Sequence, residues 1–436
     1  MPEAPDALRR ELRFWDLIFI NISAVAGVRW LATAAHAGPG SITLWLLATV
    51  AFFIPSALVV SALSERFPEE GGLYIWVKHA FGNWSGFLTA WFYFASNIIF
   101  FPAMLLAGVS IAGMVIGSEN PVFAVPITCA ILWLLLFCNL LGLRFGKWPG
   151  VIGGACTYIT ALVLVGFAVV IARRFGTATT FHLMPEATWD NVSFWSQIAF
   201  AMTGLELGAI LGGEIKNPKR TIPRAAWVSG AGISSFYIAG TAAMLVLLSP
   251  DLVSPVTGLA QAGQVAARRL AMPWLAPGFA LLVVVGLAGQ LGSFIAGNTR
   301  LPYVIGLDNY LPPAFARLHP RWKTPYVSIL AQGVLATLFL LATQLGENLR
   351  AAYLILVDMD VVATLIPFVF IFSAGFKFGQ KIPGALGALI SVLAVALSLI
   401  PPPGIRSVWL FEIKVVGGCC LFALLGRVIF LRSQSR

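Results

Sequence analysis

Charge is what this chain has little of. Asp, Glu, Lys and Arg make up 11% of its 436 residues, about half the share carried by a soluble domain. Histidine is scarcer still, and none of the 4, His36, His79, His182 and His319, stands within metal-ligand spacing of another. With no H-E-x-x-H and no G-x-S-x-G run, the sequence offers neither zinc-hydrolase nor serine-nucleophile chemistry. No enzyme activity, catalytic residue, metal site or cofactor is therefore expected. Cys129, Cys138, Cys156, Cys419 and Cys420 all lie inside apolar blocks, where they read as small packing residues and not as a disulfide framework. No selectivity-filter repeat or charged ring marks a channel. No small-residue cleavage site follows the first apolar block, so a removable signal peptide is not expected.

What the chain has instead is long apolar runs. Hydrophobic residues make up 59% of it, and its mean hydropathy is +0.88. Positions 41–63, 84–116, 122–143 and 225–248 contain no Asp, Glu, Lys or Arg. Each is long enough to cross a hydrocarbon core of about 30 Å as a helix. The expected fold is all-α and polytopic, with twelve transmembrane helices near 14–37, 41–63, 84–116, 122–143, 148–172, 192–213, 225–248, 271–299, 325–346, 351–376, 383–401 and 407–430.

The net charge of +10 is explained by where the cations lie. With twelve crossings both termini share a side, and the segments on that side hold 20 of the Lys and Arg residues against 6 in the opposite loops. That asymmetry places both termini in the cytoplasm of a multi-pass protein of the cell membrane, with the bilayer and not nucleic acid as its large partner. The longest stretches outside the membrane, near 64–83, 173–191, 249–270 and 300–324, read as loops, too short for a separate domain. Function is expected within the membrane.

Two helices carry small and polar residues at mid-depth. Helix one reads Asn21-Ile-Ser23-Ala24-Val-Ala26-Gly27-Val-Arg29-Trp30, and helix six reads Phe200-Ala-Met202-Thr203-Gly204-Leu-Glu206-Leu-Gly208. They are five helices apart. Inverted five-helix repeats place such pairs at the midplane, where unwound segments free N–H and C=O groups for a charged substrate. The plainer reading of these glycines is close helix packing.

Three segments on the expected cytoplasmic side resemble the amino acid–polyamine–organocation superfamily of permeases. The first runs from Leu63 through Pro68-Glu-Glu-Gly71-Gly72-Leu-Tyr74-Ile-Trp76-Val-Lys78 to Phe81-Gly82, followed by Gly86-Phe87 and Trp91. The second is Glu214-Ile-Lys216-Asn217-Pro218-Lys-Arg220-Thr-Ile-Pro223-Arg224. The third is Asn298-Thr-Arg300-Leu-Pro-Tyr303 through Asp308, Leu311-Pro312 and Thr324-Pro325. Read without the family, Pro68 and Gly71-Gly72 end a helix and turn the chain. Residues 74–78 suit a short amphipathic interfacial helix, and Pro223 can open helix seven. These segments read as structural or gating elements.

The resemblance implies a 5+5 inverted repeat with discontinuous helices one and six. It divides the chain into a cytoplasmic N-terminus (1–13), two five-helix repeats (14–172 and 173–376) and a peripheral pair with the C-terminus (377–436). It also implies secondary active transport of amino acids by alternating access, around a midplane site between helices 1, 3, 6, 8 and 10, coupled to protons or run as exchange. A polyamine or other organic-cation transporter is the alternative, as is a sensor of the same fold that binds without transporting. The sequence departs from the family's Gly-Ser-Gly type run at the helix-one break, where Ala24-Val25-Ala26-Gly27-Val28-Arg29 stands. Substrate-carboxylate binding by bare backbone is therefore not a safe inference.

The expected substrate-binding residues are Ser23, Ala24, Ala26, Gly27 and Arg29 of helix one and Asn97 of helix three. Helix six adds Phe200, Met202, Thr203, Gly204 and Glu206, and helix eight adds Gln290 and Ser293. Arg29 is costly in a bilayer, by at least about 2.5 kcal/mol, so a partner or a role is expected for it. By helix rise it lies roughly 9 Å below the outer boundary, and Asp358 of helix ten lies at a similar depth, about 10 Å. Arg29 is a candidate to bind a substrate carboxylate, or to act as a fixed charge where sodium-coupled relatives hold their ion, with Asp358 as counter-charge. A pair that only fixes helix geometry is the competing reading. Asp358 and Asp360 are about 200° apart round the helix, so both cannot face the same pathway, and either is a candidate proton site. Asp358 and Glu206 are the proton-coupling candidates, Asp360 standing beside them, and Glu206 is equally a candidate to hold an amine or to cap freed N–H groups.

Overall fold

The computed structural model describes residues 8–116, 121–182, 184–185, 197–343, 349–399 and 408–434, the side chains of 115–116, 121–124, 342–343, 349–358, 408, 410–411 and 414 excepted. Among these the fold is helical throughout, a lone bridge between Leu12 and Ile215 being the β pairing present. Nine helices of the described residues are long and apolar enough to cross a membrane, and Val125–Leu140 and Tyr326–Leu341 are shorter apolar helices. The chain is a multi-pass membrane protein. Helices suit that solvent because each satisfies its own backbone groups where no water is present.

The elements in chain order are α1 Phe14–Val25, α2 Arg29–His36, α3 Ser41–Ala48, α4 Ile54–Arg66, α5 Leu73–Phe81, α6 Asn83–Ile116, α7 Pro121–Leu140 and α8 Leu143–Phe175. After them come α9 (197–201), α10 Glu206–Ile210, α11 Pro218–Leu247, α12 Gly258–Arg269, α13 Leu275–Asn298 and α14 Arg300–Leu307. The chain closes with α15 Tyr326–Thr343, α16 Leu349–Lys377, α17 Lys381–Ser398 and α18 Val408–Gln434. Two expected crossings are interrupted: the first is α1 and α2, and the sixth is α9 and α10. The second holds a π-helical turn, Thr49–Phe53, between α3 and α4.

Leu46, Leu47, Val50, Leu162, Leu338, Leu389 and Leu424 are exposed, the outward coat of a protein whose surroundings are hydrocarbon. Inside, small residues bring backbones together, as membrane packing favours. A Cβ added to Gly153 of α8 would lie 2.3 Å from Gly289 Cα of α13, and one on Gly154 would lie 2.2 Å from the Phe19 carbonyl oxygen of α1. So α8 is wedged between α1 and α13.

Several sequence expectations are corrected. Pro218, not Pro223, opens α11, because the first turn has no use for the missing N–H, and Pro223 lies inside the helix. The stretches 249–270 and 300–324, expected as loops, contain α12 and α14. In α12, Leu259, Ala260, Gly263, Ala266 and Ala267 form a buried face at helical spacing.

The three motif segments, far apart in sequence, meet at one end of the molecule. Arg300 makes a buried two-pronged ion pair with Glu214, at 2.8 and 3.3 Å. Glu70 accepts the Gly213 N–H at 2.7 Å, and Gly71 N–H donates to the Ile210 carbonyl at 3.0 Å. Asp308 receives Lys78 at 2.6 Å and the Tyr74 hydroxyl. The chain ahead of α1 joins them, with the Leu12 N–H on the Glu214 carbonyl at 3.0 Å.

Candidate functional site

The first interruption begins where α1 stops at Val25. Ala26 takes φ −74°, ψ 73°, outside the helical region, and α2 restarts at Arg29. No proline dictates the stop. The freed groups are held by distant side chains. The Gly27 N–H donates to the Tyr237 hydroxyl of α11 at 3.0 Å, and the Ala24 carbonyl accepts Gln290 Nε2 of α13 at 2.8 Å. At the second interruption Gly204 has φ +123°, a conformation that favours glycine. Its N–H donates to Glu206 Oε2 at 3.0 Å, and Thr203 Oγ1 donates to the Phe200 carbonyl at 2.7 Å. The two interruptions touch, since a Cβ on Gly204 would lie 3.0 Å from a Val25 methyl.

Beside them lies a cavity of about 20 Å³, lined by Tyr93, Asn97, Phe100, Phe200, Thr203, Glu206, Phe294, Asp360 and Thr364. That is room for roughly one water molecule. Glu206 Oε1 accepts the Tyr93 hydroxyl at 2.7 Å, which leaves its two oxygens divided between α6 and its own backbone turn. Asp360 Oδ1 accepts Thr364 Oγ1 at 3.2 Å. Asn97 Nδ2 donates to the Tyr93 carbonyl at 2.8 Å, while its buried Oδ1 has no hydrogen-bond partner among the described residues. Phe100 and Phe294 pack at 4.9 Å between centroids. Two carboxylates, an amide oxygen and aromatic faces are the chemistry that receives a cation.

Of the residues singled out in the sequence, Asn97, Phe200, Thr203 and Glu206 line the cavity. The others stand outside that lining. Ser23, Ala24, Ala26, Met202 and Gly204 are buried in or next to the interruptions, and Gly27 packs on Trp30 and Gln290. Ser293 belongs to the α8–α13 contact, where a Cβ on Gly150 would lie 2.4 Å from its Oγ. Arg29 is buried, its guanidinium carbon 4.2 Å from the Trp30 ring centroid and 5.5 Å from that of Phe100. It lies against Phe100 and is not among the cavity-lining residues. Its charge reaches the Asp360 carboxylate; the side chain of Asp358 lies outside the described residues. Asp360, which the sequence could not choose over Asp358 as the acid facing the pathway, lines the cavity.

Tyr93, Phe100, Phe294 and Thr364 were not singled out beforehand. Tyr93 is four residues before Asn97 and Thr364 four after Asp360, so helical spacing from known polar positions carried a signal. Phe100 and Phe294 are two among 32 phenylalanines, and nothing local distinguishes them.

A multi-pass helical protein whose interrupted helices meet beside a small, acid-lined cavity is a membrane transporter by class. The chain belongs to the amino acid permease family, whose model matches residues 12–417, and that family is one of permeases, not enzymes. It is 28% identical to an uncharacterised transporter of Legionella pneumophila, over 96% of each chain. It is 23% identical to the probable agmatine/putrescine antiporter AguD of Lactococcus lactis, over 98% of this chain and 96% of that one. To the serine/threonine exchanger SteT of Bacillus subtilis it is 26% identical, over 77% of each. These relatives fall within the superfamily whose motifs the sequence carries.

Proposed function

We propose that this protein is a secondary transporter of small solutes bearing a protonated amine, amino acids first among them, working by alternating access at the cell membrane with both termini in the cytoplasm. The observation that carries the reading is the pair of acids, Glu206 and Asp360, lining one buried cavity at the helix-six interruption. An amine there replaces the Tyr93 hydroxyl or the Gly204 N–H as the partner of Glu206, and Asn97 Oδ1 offers a further acceptor. The aromatic wall adds cation–π attraction. Twelve crossings in a 5+5 inverted repeat, divided at 14–172 and 173–376, account for the two interruptions lying side by side. Because the cavity holds about one water molecule, admitting a solute requires the half-helices to move, which is the motion that alternating access needs. Proton coupling or exchange is the expected energy source, Glu206 and Asp360 being the groups that can trade a proton for an amine.

A second reading, transport of a diamine or other organic cation, is favoured by one observation: among the described residues the cavity lining holds two carboxylates and no Lys or Arg. A substrate carboxylate then has only Arg29, which stands against Phe100 outside that lining. Counterflow into proteoliposomes loaded with L-serine, L-threonine, agmatine or putrescine decides between the readings. Accumulation of labelled amino acid supports the first, and accumulation of amine alone replaces it with the second. Binding without counterflow of any of the four makes the protein a sensor. In Glu206→Gln the rate is expected to fall by about tenfold or more, the loss of one charge-assisted bond.

A further inference from the structure

Four of the cations that run against the positive-inside asymmetry gather in one place. Of the 6 Lys and Arg residues in the loops opposite the termini, Arg173 and Arg174 end α8, and Arg268 and Arg269 end α12. The two helix ends meet, the Arg269 guanidinium carbon lying 5.8 Å from the Phe175 ring centroid. The Ala178 N–H donates to the Val246 carbonyl at 3.0 Å, which draws the chain beyond α8 onto the end of α11. Here opens a pocket of about 310 Å³, whose lining includes Leu247, Leu248, Leu252 and Val265 together with Arg268 and Arg269.

The protein leaves this charge largely uncompensated. Among the described residues no carboxylate pairs with any of the four arginines, and positions 173–182 and 249–275 hold 1 acid, Asp251. Arginines suit helix C-termini, yet carbonyls there are already taken by backbone N–H groups: Ala172 by Gly176, and Ala266 and Ala267 by Leu270 and Met272. The guanidinium groups are exposed. Around them Phe175 and Trp274 are exposed too, aromatic rings of the kind that mark a membrane–water boundary. About one turn deeper, Val169 and Val170 of α8 and Leu281 of α13 are exposed, on helices that touch there through Phe167 and Phe279, ring centroids 5.7 Å apart.

We propose that this pocket binds the phosphate headgroup of an anionic phospholipid, in the leaflet opposite the termini, with the acyl chains along the exposed strip of α8 and α13. Guanidinium groups meet phosphate oxygens two at a time. A headgroup of net negative charge answers the arginines, whereas the ammonium of a zwitterionic lipid is repelled by them. A phosphate from water makes the same headgroup contacts but leaves the apolar strip unused.

Bound lipid is counted by native mass spectrometry as detergent-solubilised protein is titrated with dioleoyl-phosphatidylglycerol or dioleoyl-phosphatidylcholine. Wild type is expected to take the anionic lipid at least about tenfold more tightly, since each arginine near an anionic surface is worth about fivefold. In the double variant Arg268→Gln and Arg269→Gln the ratio is expected to fall below about threefold. In Lys219→Gln and Arg220→Gln, an exposed pair at the opposite end of α11, it is expected to stay at about the wild-type value. A ratio below about threefold in wild type overturns the proposal, as does a preference that survives in the first variant or is lost in the second. Should the first variant fail to purify folded, Arg173→Gln with Arg174→Gln poses the same question from α8. Glycerol phosphate, which carries the phosphate without chains, is expected to leave the lipid in place at about 10 mM. Displacement at that concentration assigns the site to a water-borne phosphate and overturns the lipid assignment. None of these measurements involves transport, so the site stands or falls apart from the reading above.

Discussion

At the scale of single residues the site turns on where buried charge is placed. Glu206 spends one oxygen on the Gly204 N–H and the other on Tyr93, so a solute must displace a neutral donor to reach it. Such an exchange is favourable for a charged amine, because charge-assisted bonds are about twice as strong as neutral ones. Asp360 has a weaker neighbour in Thr364 and the charge of Arg29 nearby. An isolated charge in hydrocarbon costs several kcal/mol, so Arg29 is stabilised by Trp30 and Phe100 and by the acid beyond them. Asp360→Asn is therefore predicted to lower proteoliposome uptake at least about tenfold and to flatten its pH dependence. An unchanged pH profile removes Asp360 from proton coupling. That Asp360 lines the cavity was not legible in the sequence, because a helical position says nothing of which neighbour packs on it, and only the packing of α16 supplies that.

At the scale of elements the motif segments explain themselves by convergence. Pro68 to Gly72, Glu214, Arg300 and Asp308 each end or begin a helix, and together they tie α4, α5, α10, α11 and α14 at one end of the molecule. The cluster carries one carboxylate too many, since Glu70 and Glu214 share Arg300. Burial, and next the charge of Glu214, push the Glu70 carboxyl well above the usual range, with Arg300 and the Gly213 N–H pulling the other way. A carboxyl whose value is raised on folding takes up a proton as the chain folds. The stability this gives is complete in acid and is lost as pH rises from the ordinary carboxylate range through the raised value, by at most about 1.4 kcal/mol per pH unit. Melting curves of detergent-solubilised protein are predicted to decline less between about pH 4.5 and pH 8 in Glu70→Gln than in wild type. Parallel curves would show that Glu70 titrates normally. Breaking the partner pair by Arg300→Ala is the harsher change, expected to cost about 3–5 kcal/mol because it strands Glu214 without its cation.

At the scale of the whole molecule the fold is an apolar coat around closely crossed helices. Orientation follows from the Lys and Arg asymmetry, and it is tested by labelling. In a background without the native cysteines, Thr177→Cys is predicted to react with a membrane-impermeant maleimide on intact cells, and Gln434→Cys only after permeabilisation. The reverse result would invert the topology. Both positions are far from the cavity, so transport serves as a check that the fold is kept.

The sequence by itself determined the solvent, the helical class, the rough extent of the crossings and the family, because runs of apolar residues and ordered motif segments are properties of neighbours along the chain. It also pointed to residues 24–29 and 203–207 as weak places, through their small and polar side chains. The tertiary structure decided that helix one stops at Val25, since no local residue forbids another turn and it is Tyr237 and Gln290, more than 200 positions away, that receive the freed groups. It decided too that Arg29 stands against Phe100 and that Asp360 lines the cavity. A buried charge has no preferred direction of its own; the field of the helices packed around it sets one.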